Sequence, residues 1–310
     1  MRVIADGLRF PEGPIAMVDG SIVLVEIERG TLTRVDQDGS TTVVAECGGG
    51  PNGAALGPDG AVYVCNNGGF SWRHVDGMLL PGVQAEDYQG GCIQRVDLET
   101  GDVTTLYSEV DGWPLRGPND LVFDAAGGFY FSDLGKGRER EFDRGGLYYG
   151  SIDGRPATTV ARPLITPNGV ALSPEEDRLY YAETMTGRVW YWNLAAPGVI
   201  EGAGTQLASS AGTPAHLLGI VPGESRVDSM AVDSEGNVCV ATLGAGAVTA
   251  FASDGSLRAI VPVPGDPMVT NVCFGGDGLR TAYITASAFG TLVAHDWHCP
   301  GHPLNFGLSG

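Results

Sequence analysis

The sequence has 310 residues, including 48 glycines and 19 prolines, and its formal net charge is −19. With 43% hydrophobic and only 18% charged residues it is not the sequence of a disordered chain, and glycine has no three-residue period that would indicate collagen. Lys136 is the only lysine, so the clustered positive charge that binds nucleic acids or anionic membranes is missing.

Six similar phrases follow one another along the chain. Each has a polar residue, a short apolar run, an Asp/Gly turn and a second apolar run, which is the pattern of a β-hairpin. The phrases begin at Pro11, Pro51, Pro118, Pro167, Val227 and Thr270, between 40 and 67 residues apart. Because a four-stranded propeller blade takes roughly 40–50 residues, the repeat indicates six blades.

The first and last phrases define the blade and the closure of the ring. The first predicts strands at Pro14–Met17, Ser21–Glu26, Thr31–Asp36 and Ser40–Ala45. The last leaves room for only three strands, through Thr291–Asp296, and Arg2–Ala5 is predicted to supply the fourth. We therefore predict an all-β fold, a six-bladed β-propeller with four-stranded antiparallel blades closed by the N-terminal strand, forming a single domain over residues 1–310.

Two of the intervals between successive phrases are longer than one blade requires, and each contains a long insertion. Phe70–Gly90 carries Trp72, Arg73 and His74, whereas Pro197–Arg226 is rich in Gly, Ala and Ser. Long connections in compact domains often form lids or binding loops, although a plain solvated loop is an equal alternative. The first insertion is expected to lie over the mouth of the channel, with an aromatic or basic side chain towards the pocket.

The polar residue of each phrase is predicted to precede the innermost strand of its blade, so that the six residues surround one mouth of the channel. These residues are Glu12, Asn52, Asn119, Asn168, Asp228 and Asn271. All carry side-chain oxygens, which suit a hard cation such as Ca²⁺, and the two carboxylates would neutralise a divalent charge. The alternative is that the asparagines only cap strand entries, as they do in many turns.

Five short motifs, in order along this repeat, resemble those of the senescence marker protein, gluconolactonase and luciferin-regenerating enzyme family. They are F-P-E-G-P at Phe10–Pro14, R-G-P-N-D-L at Arg116–Leu121, T-P-N-G-V at Thr166–Val170, V-D-S-M-A-V-D at Val227–Asp233 and C-F-G-G at Cys273–Gly276. The resemblance extends from Arg9 almost to the end of the sequence. It implies a six-bladed propeller that holds one divalent metal in its channel and acts on lactones.

The resemblance also assigns expected roles to particular residues. It implies that Glu12, Asn168 and Asp228 are metal ligands, with Asn119 as a fourth ligand or a substrate contact. By the same resemblance, Arg116 and Asn52 lie on the substrate side. Ca²⁺ is the favoured cation, with Zn²⁺, Mn²⁺ or Mg²⁺ as alternatives.

The sequence departs from the family pattern at two places. Asn66 and Asn67 stand where many members have a Glu-His pair, and Leu134 stands where many have proline. Because the first change alters polar groups that could reach the pocket, a sugar lactone is not carried over as the substrate.

Three functions remain in competition at the level of sequence. The leading one is a metal-dependent lactonase in which Asp228 is the general base, although the metal itself could instead activate the water. The others are a phosphotriesterase or other activated-ester hydrolase on the same scaffold, and a non-catalytic, metal-binding propeller. The sequence gives no signal for an oligomeric state.

The cysteines and the last histidines complete the sequence interpretation. Six cysteines lie far apart without a C-x-x-C pair, the first residues lack an apolar signal region, and no apolar run reaches a membrane span of about 18 residues. We therefore expect a cytoplasmic protein with reduced cysteines. The string H-x-x-H-C-x-x-H at His295, His298, Cys299 and His302 could suggest zinc but is interpreted as a closing tail, because alternation would point these side chains to different faces.

Overall fold

The computed structural model describes residues 1–202 and 215–307, and these form six β-sheets around a central channel. The chain begins with β1 (Arg2–Ala5). Blade 1 follows with β2 (Pro11–Ala16), β3 (Ile22–Glu26), β4 (Thr31–Val35) and β5 (Thr41–Glu46). The innermost strand, β2, thus starts three residues earlier than predicted, while the other three strands of this blade agree with the prediction to within one residue.

Blade 2 contains an additional hairpin, and a second short hairpin connects it to blade 3. Blade 2 has β6 (Pro51–Leu56), β7 (Val62–Asn66), an inserted hairpin of β8 (Phe70–Val75) and β9 (Met78–Gln84), then β10 (Cys92–Val96) and β11 (Val103–Tyr107). A short hairpin, β12 (Glu109–Val110) and β13 (Trp113–Pro114), leads into blade 3. That blade has β14 (Pro118–Phe123), β15 (Gly128–Asp133), β16 (Gly145–Ser151) and β17 (Thr158–Leu164).

Blade 4 differs from the others at its outer edge. Its strands are β18 (Pro167–Leu172), β19 (Arg178–Glu183), β20 (Arg188–Ala196), the short β21 (Val199–Ile200) and β22 (His216–Ile220). Both β21 and β22 pair with β20, along different halves of that strand. Residues 203–214 of the predicted insertion Pro197–Arg226 lie outside the described residues.

Blades 5 and 6 complete the ring. Blade 5 has β23 (Arg226–Val232), β24 (Val238–Leu243), β25 (Ala247–Phe251) and β26 (Leu257–Pro262). Blade 6 has β27 (Val269–Gly275), β28 (Thr281–Ala286) and β29 (Thr291–Asp296), and β1 pairs antiparallel with β29 as its outermost strand. The predicted closure by the N-terminal strand is therefore confirmed.

The innermost strands form a closed cycle in which each contacts the next, in the order β2, β6, β14, β18, β23, β27 and back to β2. Burial falls from the axis outwards within a blade: every residue of β3 is buried, whereas only Ala45 of β5 is. The hydrophobic core lies between neighbouring blades, as where Tyr63 of blade 2 meets Phe123 and Phe129 of blade 3 with ring centroids 5.2 and 5.7 Å apart. Side chains on both faces of a blade are thus used for packing.

The turns between first and second strands use an aspartate and a glycine. In blade 3, Asp124 accepts hydrogen bonds from the backbone of Ala126 and Gly128, both at 3.0 Å, while Gly127 has a φ of +83°. A left-handed φ is natural for glycine, which has no Cβ. The same aspartate turn recurs in blade 5 at Asp233. None of the helices in the described residues is long and apolar enough to cross a membrane.

Candidate active site

One end of the channel, here called the upper mouth, lies where the six innermost strands begin. The ring residues predicted from the repeat are all found there, but inside the strands and not before them. They occupy the second position in four strands and the third in two: Glu12, Asn52, Asn119, Asn168, Asp228 and Asn271. Five of them are buried, and Asp228 is partly exposed as a whole residue although its carboxyl group is enclosed by its neighbours.

A distortion of the sheet places these residues at the channel. In all six blades the register between the first and second strands shifts at or beside the ring residue, as between Glu12 and Ile15. Such bulges redirect side chains and break the simple alternation of a strand. Glycine follows several ring residues, and a Cβ on Gly13 would lie 2.6 Å from the backbone nitrogen of Ala54. Glycine therefore permits the innermost strands to converge here.

Glu12 is a buried acid with no basic partner. Its Oε2 accepts hydrogen bonds from the side-chain nitrogen of Asn271 and the backbone nitrogen of Gly13, both at 2.7 Å. Burial nevertheless raises the pKa of Glu12 to about 8, because it disfavours the charged form, and repulsion from Asp120 acts in the same direction.

Two further carboxyl groups share this environment. Burial, followed by repulsion from Glu12, raises the pKa of Asp228 well above its usual range, and Asp120 adds a smaller repulsion. Burial raises the pKa of Asp120 itself to about 7. Sequence reasoning missed Asp120, although the N-D pair of the motif could have indicated it. Among the ion pairs of the described residues, none includes any of these three carboxylates.

Two asparagine oxygens in the ring lack hydrogen-bond donors. Asn119 Oδ1 and Asn168 Oδ1 are buried and have no partner among the described residues. A buried polar atom without a partner costs roughly 1–3 kcal/mol, so these two oxygens are free to coordinate a ligand that enters the site. Neutral amide oxygens next to carboxylates are the donors that Ca²⁺ and other hard cations prefer. The ring residues therefore fit a divalent cation.

The two residues expected on the substrate side have different surroundings. Asn52 is a buried member of the ring. Arg116 has an exposed side chain, and its backbone is fixed where Asp133 Oδ2 accepts its N–H at 2.7 Å and Tyr88 donates to its carbonyl at 2.7 Å. The backbone of Arg116 is thus held firmly while its guanidinium group stays in solvent.

The β8–β9 hairpin, here called the mouth hairpin (Phe70–Gln84), lies at this same end of the channel. Trp72 packs on Phe10, the residue before β2, with ring centroids 5.2 Å apart. Its backbone also reaches other blades: Leu79 donates to Ala288 in blade 6 at 2.8 Å, and Gln84 donates to the loop after β15 at 2.9 Å. The hairpin therefore lies at the predicted end of the channel, with Phe70 and Trp72 partly buried and Arg73 and His74 exposed.

The single lysine fastens the base of this hairpin. Lys136 is 1% exposed, and its Nζ donates to Asn67 Oδ1 at 2.9 Å and to the carbonyl of Gly69 at 2.7 Å. The same ammonium lies 4.0 Å from the ring centroid of Phe70. Burial lowers the pKa of Lys136 to about 7.

Asn66 and Asn67, where the sequence departs from the family pattern, form hydrogen bonds with neighbouring loops and with Lys136. Asn66 Oδ1 accepts from the backbone of Gly50 and Gly68 at 2.9 and 3.0 Å, so this side chain supports the loops around it. Asn67 Oδ1 accepts a hydrogen bond from Lys136 Nζ. The Asn66 side chain and Asn67 Oδ1 therefore bond within the protein, whereas the buried Asn67 Nδ2 has no partner among the described residues.

The fold and the site together define the class of protein: a six-bladed propeller in which acidic and amide side chains converge at one mouth of the channel. Residues 10–288 match the model of the SMP-30/Gluconolactonase/LRE-like region. The chain belongs to this family, as the five motifs predicted.

Two curated relatives show how far the similarity extends. The chain is 26% identical to a gluconolactonase of Zymomonas mobilis, over 93% of this chain and 79% of that protein. It is 30% identical to lactonase drp35 of Staphylococcus saprophyticus, over 86% of this chain and 73% of that protein.

Solved structures are similar in fold. A gluconolactonase of Xanthomonas campestris aligns with a TM-score of 0.72 and 22% identity, over 94% of this chain and 86% of that one. Regucalcin of Agrobacterium tumefaciens, described as a calcium-binding protein, aligns with a TM-score of 0.73 and 19% identity, over 99% and 97% of the two chains.

Proposed function

We propose that this protein is a divalent-cation-dependent hydrolase that opens a lactone to a hydroxy acid at the upper mouth. The observation that carries the proposal is the combination of two unpartnered amide oxygens, Asn119 Oδ1 and Asn168 Oδ1, with buried carboxylates that have no basic counter-charge. Named gluconolactonase and lactonase relatives support the choice of lactones as the substrate class.

Glu12, Asn168 and Asp228 would hold the cation, with Asn119 as a fourth ligand. Two carboxylates offset the charge of a divalent ion, and the uniform oxygen donors favour Ca²⁺, with Zn²⁺, Mn²⁺ or Mg²⁺ as alternatives. A bound cation would also favour the ionised forms of Glu12 and Asp228, whose pKa values burial otherwise raises.

When bound, such a cation supplies Lewis-acid polarisation of the lactone carbonyl and stabilisation of the developing oxyanion. Asp228 is the proposed general base: it accepts a proton from the water that attacks the carbonyl carbon. As the ring C–O bond breaks, the same carboxyl group returns the proton to the leaving alkoxide oxygen. The water oxygen ends in the new carboxyl group, and the product is the open hydroxy acid.

Asn52, Asn119 and Arg116 are the proposed substrate contacts. The aromatic side chains of Phe70 and Trp72, on the mouth hairpin, add an apolar wall to the same end of the channel. An arginine together with apolar rings suits a lactone that bears a carboxylate or an apolar substituent.

The proposal is tested by dialysing the protein against a chelator and assaying a panel of lactones, an aryl ester and a phosphotriester, before and after Ca²⁺, Zn²⁺, Mn²⁺ or Mg²⁺ is restored. We expect lactone hydrolysis to disappear on chelation and to return with the cation. Absence of turnover with every cation would instead indicate a binding propeller. Faster hydrolysis of the phosphotriester than of any lactone would contradict the substrate class.

A further inference from the structure

A second cluster of metal-ligating side chains lies at the opposite end of the channel, here called the lower mouth. It involves the C-terminal tail, residues 297–307, which follows β29. Backbone hydrogen bonds hold this tail against the β23–β24 turn: Ser234 donates to Pro300 and His302 donates to Val232, both at 2.9 Å, and Asp233 pairs with Gly301. The position of the tail is thus fixed independently of its side chains.

This backbone pairing brings His298 and Cys299 onto the carboxylate of Asp233. His298 Nε2 lies 3.6 Å from Cys299 Sγ and 3.9 Å from Asp233 Oδ2, and the three donor atoms all lie within 4.8 Å of one another. With Zn–S of about 2.3 Å and Zn–N of about 2.0–2.1 Å, tetrahedral geometry separates sulfur and nitrogen ligands by about 3.6 Å. The imidazole and the thiol therefore already have the spacing of a zinc site.

The turn engages both oxygens of Asp233, and Oδ2 in addition faces the tail. Oδ1 accepts from the backbone of Glu235 and Asn237 at 3.0 and 2.9 Å, which is the turn role that Asp124 has in blade 3. Oδ2 accepts a hydrogen bond from Asn237 Nδ2 at 2.9 Å, with Trp297 Nε1 of the tail at 3.5 Å and the thiol of Cys239 at 3.9 Å. The carboxylate is fully buried, and its one ion pair among the described residues is with His298.

We propose that Asp233, His298 and Cys299 bind one transition-metal ion of the zinc type. A thiolate, an imidazole and a carboxylate together favour Zn²⁺ over Ca²⁺ or Mg²⁺, which prefer oxygen donors throughout. Binding converts the Cys299 thiol to a thiolate, whose proton passes to solvent as the metal–sulfur bond forms. One tetrahedral position remains for water.

The site would fasten the tail to blade 5. Five residues of the tail line one end of a channel cavity of about 130 Å³: His302, Pro303, Leu304, Asn305 and Gly307. A metal at His298 and Cys299 would therefore hold the segment at the lower mouth. His295 and His302, the other members of the histidine string, are not part of this cluster.

Cobalt substitution tests the proposal because a sulfur ligand has its own spectral signature. We expect one equivalent of Co²⁺, added to the reduced, chelator-treated full chain, to produce a sulfur-to-cobalt charge-transfer band in the near ultraviolet and tetrahedral ligand-field bands in the visible. Zn²⁺ should abolish these bands, while excess Ca²⁺ should leave them, since the ring residues of the upper mouth contain no sulfur.

Variants identify the ligands. Cys299→Ser should lose the charge-transfer band, and His298→Ala, whose side chain is 52% exposed and does not support the core, should weaken Co²⁺ binding at least about tenfold. Cys92→Ser, a partly buried cysteine in blade 2, is the matched control and should keep the bands. A wild-type protein without the band, or a band that persists in Cys299→Ser, would overturn the proposal whether or not the protein hydrolyses lactones.

Discussion

The two mouths of the channel are built from opposite ends of the same six strands, yet their chemistry differs. At the upper mouth, the strand beginnings carry oxygen donors and buried acids. At the lower mouth, the strand ends are apolar: Ala16, Leu56, Phe123, Leu172, Val232 and Phe274 line the cavity there. Position along the innermost strands, repeated in every blade, therefore determines which end of the channel presents a ring of oxygen donors, whereas the zinc-type site proposed at the lower mouth depends on the tail.

The two mouths are also closed in different ways. A hairpin inserted within blade 2 lies at the upper mouth, held through aromatic contacts and Lys136. The C-terminal tail lies at the lower mouth, held by backbone pairing with blade 5 and by Asn305, which donates to Phe123 and Glu176. If catalysis belongs to the upper mouth alone, changes at the two ends should have separable effects.

The largest effect is expected at Asp228. Asp228→Asn keeps an oxygen ligand but removes the basic group, so kcat should fall by about 10²–10⁴-fold even at saturating cation. Asn168→Ala removes a neutral ligand, and part of its loss should be recovered by more cation. Steady-state kinetics over a cation series measures both, with Asp254→Asn, in an exposed turn of blade 5, as the control. Full recovery of Asp228→Asn by excess cation would show that Asp228 is only a ligand.

The next effect is a pH dependence of cation binding. Burial raises the pKa of Glu12 to about 8, so below that pH the carboxyl group is protonated and a cation must displace the proton. Affinity for Ca²⁺ should therefore increase by about 50-fold from pH 6 to pH 8, by about a further twofold up to pH 9, and change little above that. Titration calorimetry in two buffers of different ionisation enthalpy measures the protons released. An affinity that is constant over this range would contradict a site at Glu12.

A smaller effect is expected for Lys136→Met, which removes the ammonium that fastens the mouth hairpin. Asn67 Oδ1 keeps a second donor, the backbone of Gly69 at 2.8 Å, so we expect the fold to persist. The ratio of kcat/KM between a lactone with an apolar substituent and an unsubstituted one should change by about fivefold to tenfold. Cation affinity should stay the same. Arg73→Ala, on the exposed part of the hairpin, is the control, and equal ratios in all three proteins would exclude a role in specificity.

The smallest effect is expected at the lower mouth. Asn305→Ala loses the hydrogen bonds to the carbonyl of Phe123, at 3.1 Å, and to Glu176 Oε1, at 2.6 Å. Its free energy of unfolding should fall by about 1 kcal/mol, as for a typical hydrogen bond, while kcat and cation affinity remain unchanged. Denaturant unfolding and steady-state assays provide the measurements. A loss of activity larger than twofold would show that the two mouths are coupled.

The repeat made most of the fold predictable. Six phrases, each with a polar residue before an apolar run, indicate six blades, and the missing strand of the last blade pointed to Arg2–Ala5. The innermost strands begin earlier than the sequence pattern predicts, because the bulge beside each ring residue interrupts the alternation of polar and apolar residues that is typical of a strand. In β14, this shift between Pro118 and Leu121 also hid Asp120, the neighbour of a predicted ligand.

Other features depend on contacts between distant parts of the chain. Lys136 follows a turn in blade 3, and its acceptors Asn67 and Gly69 belong to blade 2. His298 and Cys299 follow the last strand, where alternation no longer applies, and Asp233 lies in another blade. Local sequence patterns do not predict these contacts, because each contact joins residues that are far apart in the chain and meet only when the blades close into a ring.

Lys136 also makes this protein unusual as a substrate for proteases. An endoprotease specific for lysine has one site in the entire sequence, and in the folded protein that residue is 1% exposed. Cleavage then requires the surrounding segment to open, and its rate reports that opening. A single cut would separate residues 1–136 from 137–310, two fragments that a gel resolves. Proteolysis with and without a lactone or cation would thus follow the motion of the upper mouth without any introduced label.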